Sequence, residues 1–225
     1  MPVVAERRPG ARNIRLRADS IDGAVRITLP PRGGLAEAAT LLDRHRDWLA
    51  RQVAGWPLPL PFVPGAVIPF DGATLVLDWA AGHPRLPQRC GDALRLGGPV
   101  DAVPARVLRW LKSAALADME PATRQLAACV DRNVDQVRVG DTRSRWGSCA
   151  GSAAGAGRIA YSWRLILAPA PVRRNVVAHE VAHLVHANHG PGFHALLAEL
   201  DANGAASKRW LRTHGAALHW VGRAA

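Results

Sequence analysis

Two histidines and a glutamate stand together in the order His179-Glu180-Val181-Ala182-His183, and a further histidine, His189, follows six residues later. Residues four apart on a helix share a face, so the imidazoles of His179 and His183 can reach one metal ion. A glutamate beside the first of them can take a proton from a metal-bound water without being a ligand itself. Neutral nitrogen ligands leave a zinc ion its full charge and one open position, which lowers the pKa of a bound water to about 7. The chemistry expected is zinc-assisted hydrolysis, with Glu180 relaying the proton to a leaving amine.

A third ligand requires the chain to double back. An unbroken helix would carry His189 about 15 Å along the axis from His179 and off its face. Asn188 tolerates a left-handed conformation and Gly190-Pro191-Gly192 cannot continue a helix, so a break is expected over 188–192. His189 is the preferred third ligand, with Glu199 and His194 as alternatives from the segment that follows. His186 projects about 60° from His183 and reads as an outer or surface residue.

The elements that must hold these residues follow from local pattern. Pro169 and Pro171 open the helix, and Val177, Val181 and Leu184 give it a core-facing stripe. Upstream, Val134 to Val139 and Arg158 to Leu167 read as strands. Trp146-Gly147-Ser148 reads as a turn, and the small residues from Gly151 to Gly157 as a loop. A helix beginning near Pro104 is expected to kink or restart at Pro121 and run to about Val130. Earlier, Ile14 to Arg17 and Val25 to Leu29 flank Asp22-Gly23 as a hairpin, and Leu35 to Val53 reads as one amphipathic helix. Trp56 to Pro69 is a proline-rich connector, and Thr74 to Trp79 and Ala93 to Leu96 are further strands. The fold class expected is α+β. A β-rich N-terminal region over 1–99, with one helix, would precede a catalytic domain over 100–225.

Composition sets wider bounds. The chain has 225 residues, 48% hydrophobic and 21% charged, which is globular material. No apolar run approaches the roughly 20 residues of a membrane span, so no membrane partner is expected. Met1 to Arg17 lacks the apolar core of a signal peptide. Cys90, Cys129 and Cys149 are odd in number and widely spaced, which fits a reducing, cytoplasmic setting. A net charge of +11 would draw polyanions such as nucleic acid, although the arginines are scattered rather than gathered. Nothing in the pattern speaks to oligomeric state. Three functions compete: hydrolysis of peptide or protein substrates, hydrolysis of a nucleotide phosphoanhydride at the same site, and nucleic-acid association with structural zinc.

Several segments carry a resemblance. These are Asp141 to Cys149 (DTRSRWGSC), Trp163 to Pro169, Val177 to His183 and Asn188 to Phe193, together with the arginine-bearing hairpin and the helix ending in Trp48. The chain resembles the YgjP-like metallopeptidases, within the wider SprT-like zinc peptidases, along nearly its whole length. The resemblance implies zinc on His179, His183 and His189, with Glu180 as general base. It supports His189, because SprT-like relatives take the third ligand from the histidine before a small-Pro-x-Phe segment. It implies a zincin-like core in which the HExxH helix lies against a small antiparallel sheet. Relatives often carry asparagine just before the tryptophan at 163, where this chain has Ser162. The Arg143 to Cys149 run would line the cleft, leaving Arg145 free for a substrate carboxylate or phosphate and Trp146 and Cys149 for packing. Cys149 as a thiolate ligand is a lesser alternative.

Overall fold

Alternation of apolar and charged residues over 15–29 produces the expected hairpin, strands β2 (Arg15–Asp19) and β3 (Ala24–Leu29), paired antiparallel. A strand not expected from the pattern, β1 (Val3–Arg7), joins β3 in parallel on its other side. The computed structural model describes residues 2–151 and 156–224, so most of the loop expected over 151–157 lies outside the described residues. The amphipathic segment forms two helices, α1 (Leu35–Arg44) and α2 (Arg46–Ala54), because His45 leaves helical geometry at φ −104°. Ile27, Leu29 and Ala38 form a small core of their own.

The chain divides into two compact units at Leu58 and Pro59, and not between 99 and 100. The reason lies in which core each strand feeds. Strands β4 (Val67–Phe70), β5 (Ala73–Trp79), β6 (Gln88–Cys90) and β7 (Ala93–Leu96) form a sheet of order β4-β5-β7-β6. Their buried residues Ile68, Phe70, Leu75, Leu77, Leu94 and Leu96 join one hydrophobic core with the helices that follow. Each fully buried side chain of this kind contributes about 1.5–3 kcal/mol. Removing six would cost as much as the whole net stability of a domain, about 5–15 kcal/mol. A fragment beginning at residue 59 is therefore expected to melt cooperatively in circular dichroism, and one beginning at residue 100 is not. A cooperative melt from the shorter fragment would contradict this division.

Within the second unit, α3 (Val103–Cys129) continues as one helix past Pro121 rather than restarting there. Pro121 and Ala117, the residue whose carbonyl proline frees, are both exposed, which lessens the cost of the missing hydrogen bond. Strand β8 (Val134–Gly140) pairs in parallel with β10 (Gly157–Ser162), and β10 pairs antiparallel with β9 (Gly147–Ala150). The sheet beside the histidine helix is thus mixed rather than antiparallel. Two local expectations are corrected with it. Trp146-Gly147-Ser148 leads into an edge strand rather than a turn. The strand expected to Leu167 ends at Ser162, and Trp163–Leu167 coils into a short 3-10 helix. Then come α4 (Ala170–Ala182), α5 (Pro191–Leu200) and α6 (Gly204–Leu218).

One buried cation ties this unit together. Arg173 on α4, 4% exposed, bonds Asp118 on α3 at 2.9 Å, Asp71 at 2.8 Å and the Ala168 carbonyl at 2.6 Å. Asp71 and Gly72 both take positive φ, 54° and 75°, forming the tight turn that brings the β4–β5 hairpin to Arg173. The result fixes α4 against α3 and the sheet at the end opposite its histidines. No helix is long and apolar enough to cross a membrane.

Candidate metal centre

Helix α4 carries His179 and Glu180 in its last turn, and His183 is its C-cap residue at φ −70°, ψ −14°. The core stripe anchors it: Val177, Val181 and Leu184 are all buried. The helix ends at His183, five residues before the break expected at Asn188. Tight turns continue from there, with Leu184 N–H donating to the Val181 carbonyl and His186 N–H to the Ala182 carbonyl. The chain then folds back through His189 into α5.

This return brings three imidazoles together. His179, His183 and His189 each offer a nitrogen within 4.8 Å of the others, the one such group of potential metal ligands among the described residues. The Nε2 atoms of His189 and His179 face each other at 3.2 Å. His183 Nδ1 lies 3.0 Å from the His186 carbonyl oxygen, to which it donates as Nδ1–H, leaving its Nε2 lone pair for a metal. His186 thus contributes its backbone while its ring packs beside Gly192. Three converging imidazole nitrogens fit a zinc ion with an open position. His194 stands outside the group, its ring 6.4 Å from that of His189. Glu199 lines a separate cavity of about 620 Å³ between α3, α4 and α5 that contains none of the three histidines.

A residue that the spacing argument did not assign a role supports all three rings. Phe193, buried on α5, lies 5.0, 4.6 and 4.7 Å from the ring centroids of His179, His183 and His189. Its position four residues after His189 was the available signal, since a helix starting at Pro191 must turn an apolar face towards α4.

Burial governs the electrostatics. It lowers the pKa of His179 to about 4, with the neighbouring His183, His189 and Lys208 adding to the effect, so this ring stays neutral. Glu180 is only 5% exposed, and burial raises its pKa to about 7 against the opposing pull of Arg145. Burial also raises the Cys149 thiol to about 11, with Glu180 adding to the effect, so Cys149 is not a thiolate and stands outside the ligand group. Ser162 is wholly buried and its hydroxyl makes no hydrogen bond among the described residues. It therefore does not replace an amide reaching substrate.

A cleft of about 260 Å³ opens beside the histidines. His179 and Glu180 of α4 line it together with Arg145, Trp146 and Gly147 at the start of β9 and Lys208 and Leu211 of α6. Gly147 is dictated by Glu180: a Cβ there would lie 2.5 Å from Oε1 and 2.7 Å from Cγ. Trp146 packs its ring 5.1 Å from that of buried His219 and against Gly215 of α6. Gly147→Ala is therefore expected to displace the Glu180 carboxylate and lower kcat while zinc content stays at wild-type level. Unchanged kcat with full zinc would show that this contact does not position Glu180.

The comparisons with known proteins agree with this geometry at the level of family. No curated protein and no solved structure matches the chain. The description "YgjP-like, metallopeptidase domain" matches residues 12–214, which takes in every element of the site. The chain therefore belongs to the YgjP-like metallopeptidase family.

Proposed function

We propose that His179, His183 and His189 hold one zinc ion and that the protein hydrolyses peptide bonds with Glu180 as general base. The observation that carries this reading is the three-nitrogen group with a buried, unliganded carboxylate on the adjacent residue. When bound, zinc supplies Lewis acidity, which lowers the pKa of a water and polarises a carbonyl oxygen. The Glu180 carboxylate accepts the proton that the water loses as it adds to the carbonyl carbon. The same oxygen returns that proton to the amide nitrogen as the C–N bond breaks. Arg145 favours the ionised form of Glu180 that this first step needs. The Nδ1–H bond from His183 to the His186 carbonyl holds that ring in one tautomer and orientation.

Edge strand β9 lies at the end of its sheet, where an extended peptide can add by backbone pairing. Structural zinc is disfavoured because structural sites close with four ligands, and only three residues converge among the described ones. Incubation of the zinc-loaded protein with an unfolded protein mixture and, separately, a nucleoside triphosphate panel tests the reading. New peptide termini without phosphate release are expected. Phosphate release without new termini would transfer the site to phosphoanhydride chemistry.

A further inference from the structure

The cleft beside the histidines is lined by two cations, Arg145 and Lys208. Arg145 precedes β9 and Lys208 lies in the second turn of α6, so two different elements bring them to the one cleft. Both are exposed, and neither forms an ion pair or side-chain hydrogen bond among the described residues. They differ in this from Arg124, Arg164 and Arg173 of the same unit, which pair with Glu120, with Asp141, and with both Asp118 and Asp71. Among the described residues the only carboxylate lining the cleft is that of Glu180, which is buried. The two cations also act on groups at the centre itself, Arg145 on Glu180 and Lys208 on His179. The same lining includes apolar Trp146, Val176 and Leu211, which offer surface to a chain and not to a free ion.

We propose that Arg145 and Lys208 form a carboxylate-recognition site that selects peptides bearing an acidic group within a residue or two of the scissile bond. The inference rests on the peptidase reading above and names its substrate class. Two sources of that chemistry are possible: an aspartate or glutamate side chain, and a free C-terminal carboxylate. Arg145 can engage either through two parallel N–H···O bonds, and Lys208 adds a mobile point charge from α6. Both contacts are solvent-accessible, so each is worth at most a few-fold and weakens as salt screens it.

The test uses paired fluorogenic peptides that differ only by Glu or Gln at successive positions around the bond, each with a free or an amidated C-terminus. Zinc-loaded wild type is expected to favour the acidic member by about 3–10-fold in kcat/KM, carried by KM and shrinking as salt rises. In the Arg145→Gln, Lys208→Gln double variant the acidic-to-neutral ratio falls to about one. Dependence on the Glu position identifies a side-chain subsite, and dependence on the free terminus identifies a terminal one. A wild-type ratio of one or below, or a preference undiminished in the double variant, overturns the inference. The same peptides are titrated by fluorescence anisotropy against zinc-loaded Glu180→Gln, where no turnover is required. Tighter binding of the acidic members supports the site even when hydrolysis is not seen, and equal affinities overturn it. Failure of hydrolysis alone counts against the peptidase reading.

Discussion

Glu180→Gln is expected to keep its zinc and to lower kcat by about 10²–10⁴, the usual contribution of a positioned general base. Glutamine fills the same space beside Gly147 but accepts no proton, so the loss falls on kcat rather than KM. The same variant reports on burial through stability. Glu180 has its folded-state pKa raised from the ordinary 4.5 to about 7, so its protonated form is favoured in the native protein. That contribution is fully present below about 4.5 and is lost as pH rises through about 7. In metal-free protein, wild type should therefore lose up to about 3 kcal/mol relative to Glu180→Gln across this window. Urea unfolding of both proteins at several pH values reads it directly. A constant difference between them would show that the carboxyl is not desolvated. Bound zinc, as an adjacent cation, favours the carboxylate and should narrow the gap.

His179→Ala, His183→Ala and His189→Ala should each lose zinc, whereas His194→Ala retains it. Removing one of three nitrogen donors leaves a two-ligand site, and metal content measured after dialysis should fall from one ion per chain towards none. His186→Ala should also retain zinc, because His186 serves through its backbone carbonyl, which alanine keeps. Full zinc in His189→Ala would restore Glu199 or His194 as candidates, although neither stands in the group of three. Rearrangement on ligand loss is limited for His179, whose helix is anchored by Val177, Val181 and Arg173. His189 sits in the exposed return segment and has most freedom to move.

How much of this was legible in the sequence depended on the range of the forces involved. The convergence of His179 and His183 follows from helical spacing alone. His189 required only that the chain turn back, and Gly190-Pro191-Gly192 announced it. The place of the turn was misjudged because the helix ends in tight turns at His183, where no proline or glycine marks the stop. Strand β9 was hidden for a different reason. Gly147, Ser148, Cys149 and Ala150 have little strand propensity, and their extended form is imposed by pairing with β10 and by the room that Glu180 demands. The boundary at Leu58 was hidden too, since strands on both sides of it look alike locally. What separates them is the core each one enters, which is a non-local property. That α3 does not restart at Pro121 depends on the exposure of that turn, which no local pattern records.

Hydrolysis at this one centre is the claim on which the rest depends, and isotope incorporation tests it most directly. An unfolded protein is digested in ¹⁸O-labelled water by zinc-loaded wild type and by zinc-loaded Glu180→Gln, and the new C-termini are read by mass spectrometry. The account predicts new termini carrying ¹⁸O from wild type and almost none from the variant. Termini produced equally by both proteins, or none from a fully zinc-loaded wild type, would contradict it.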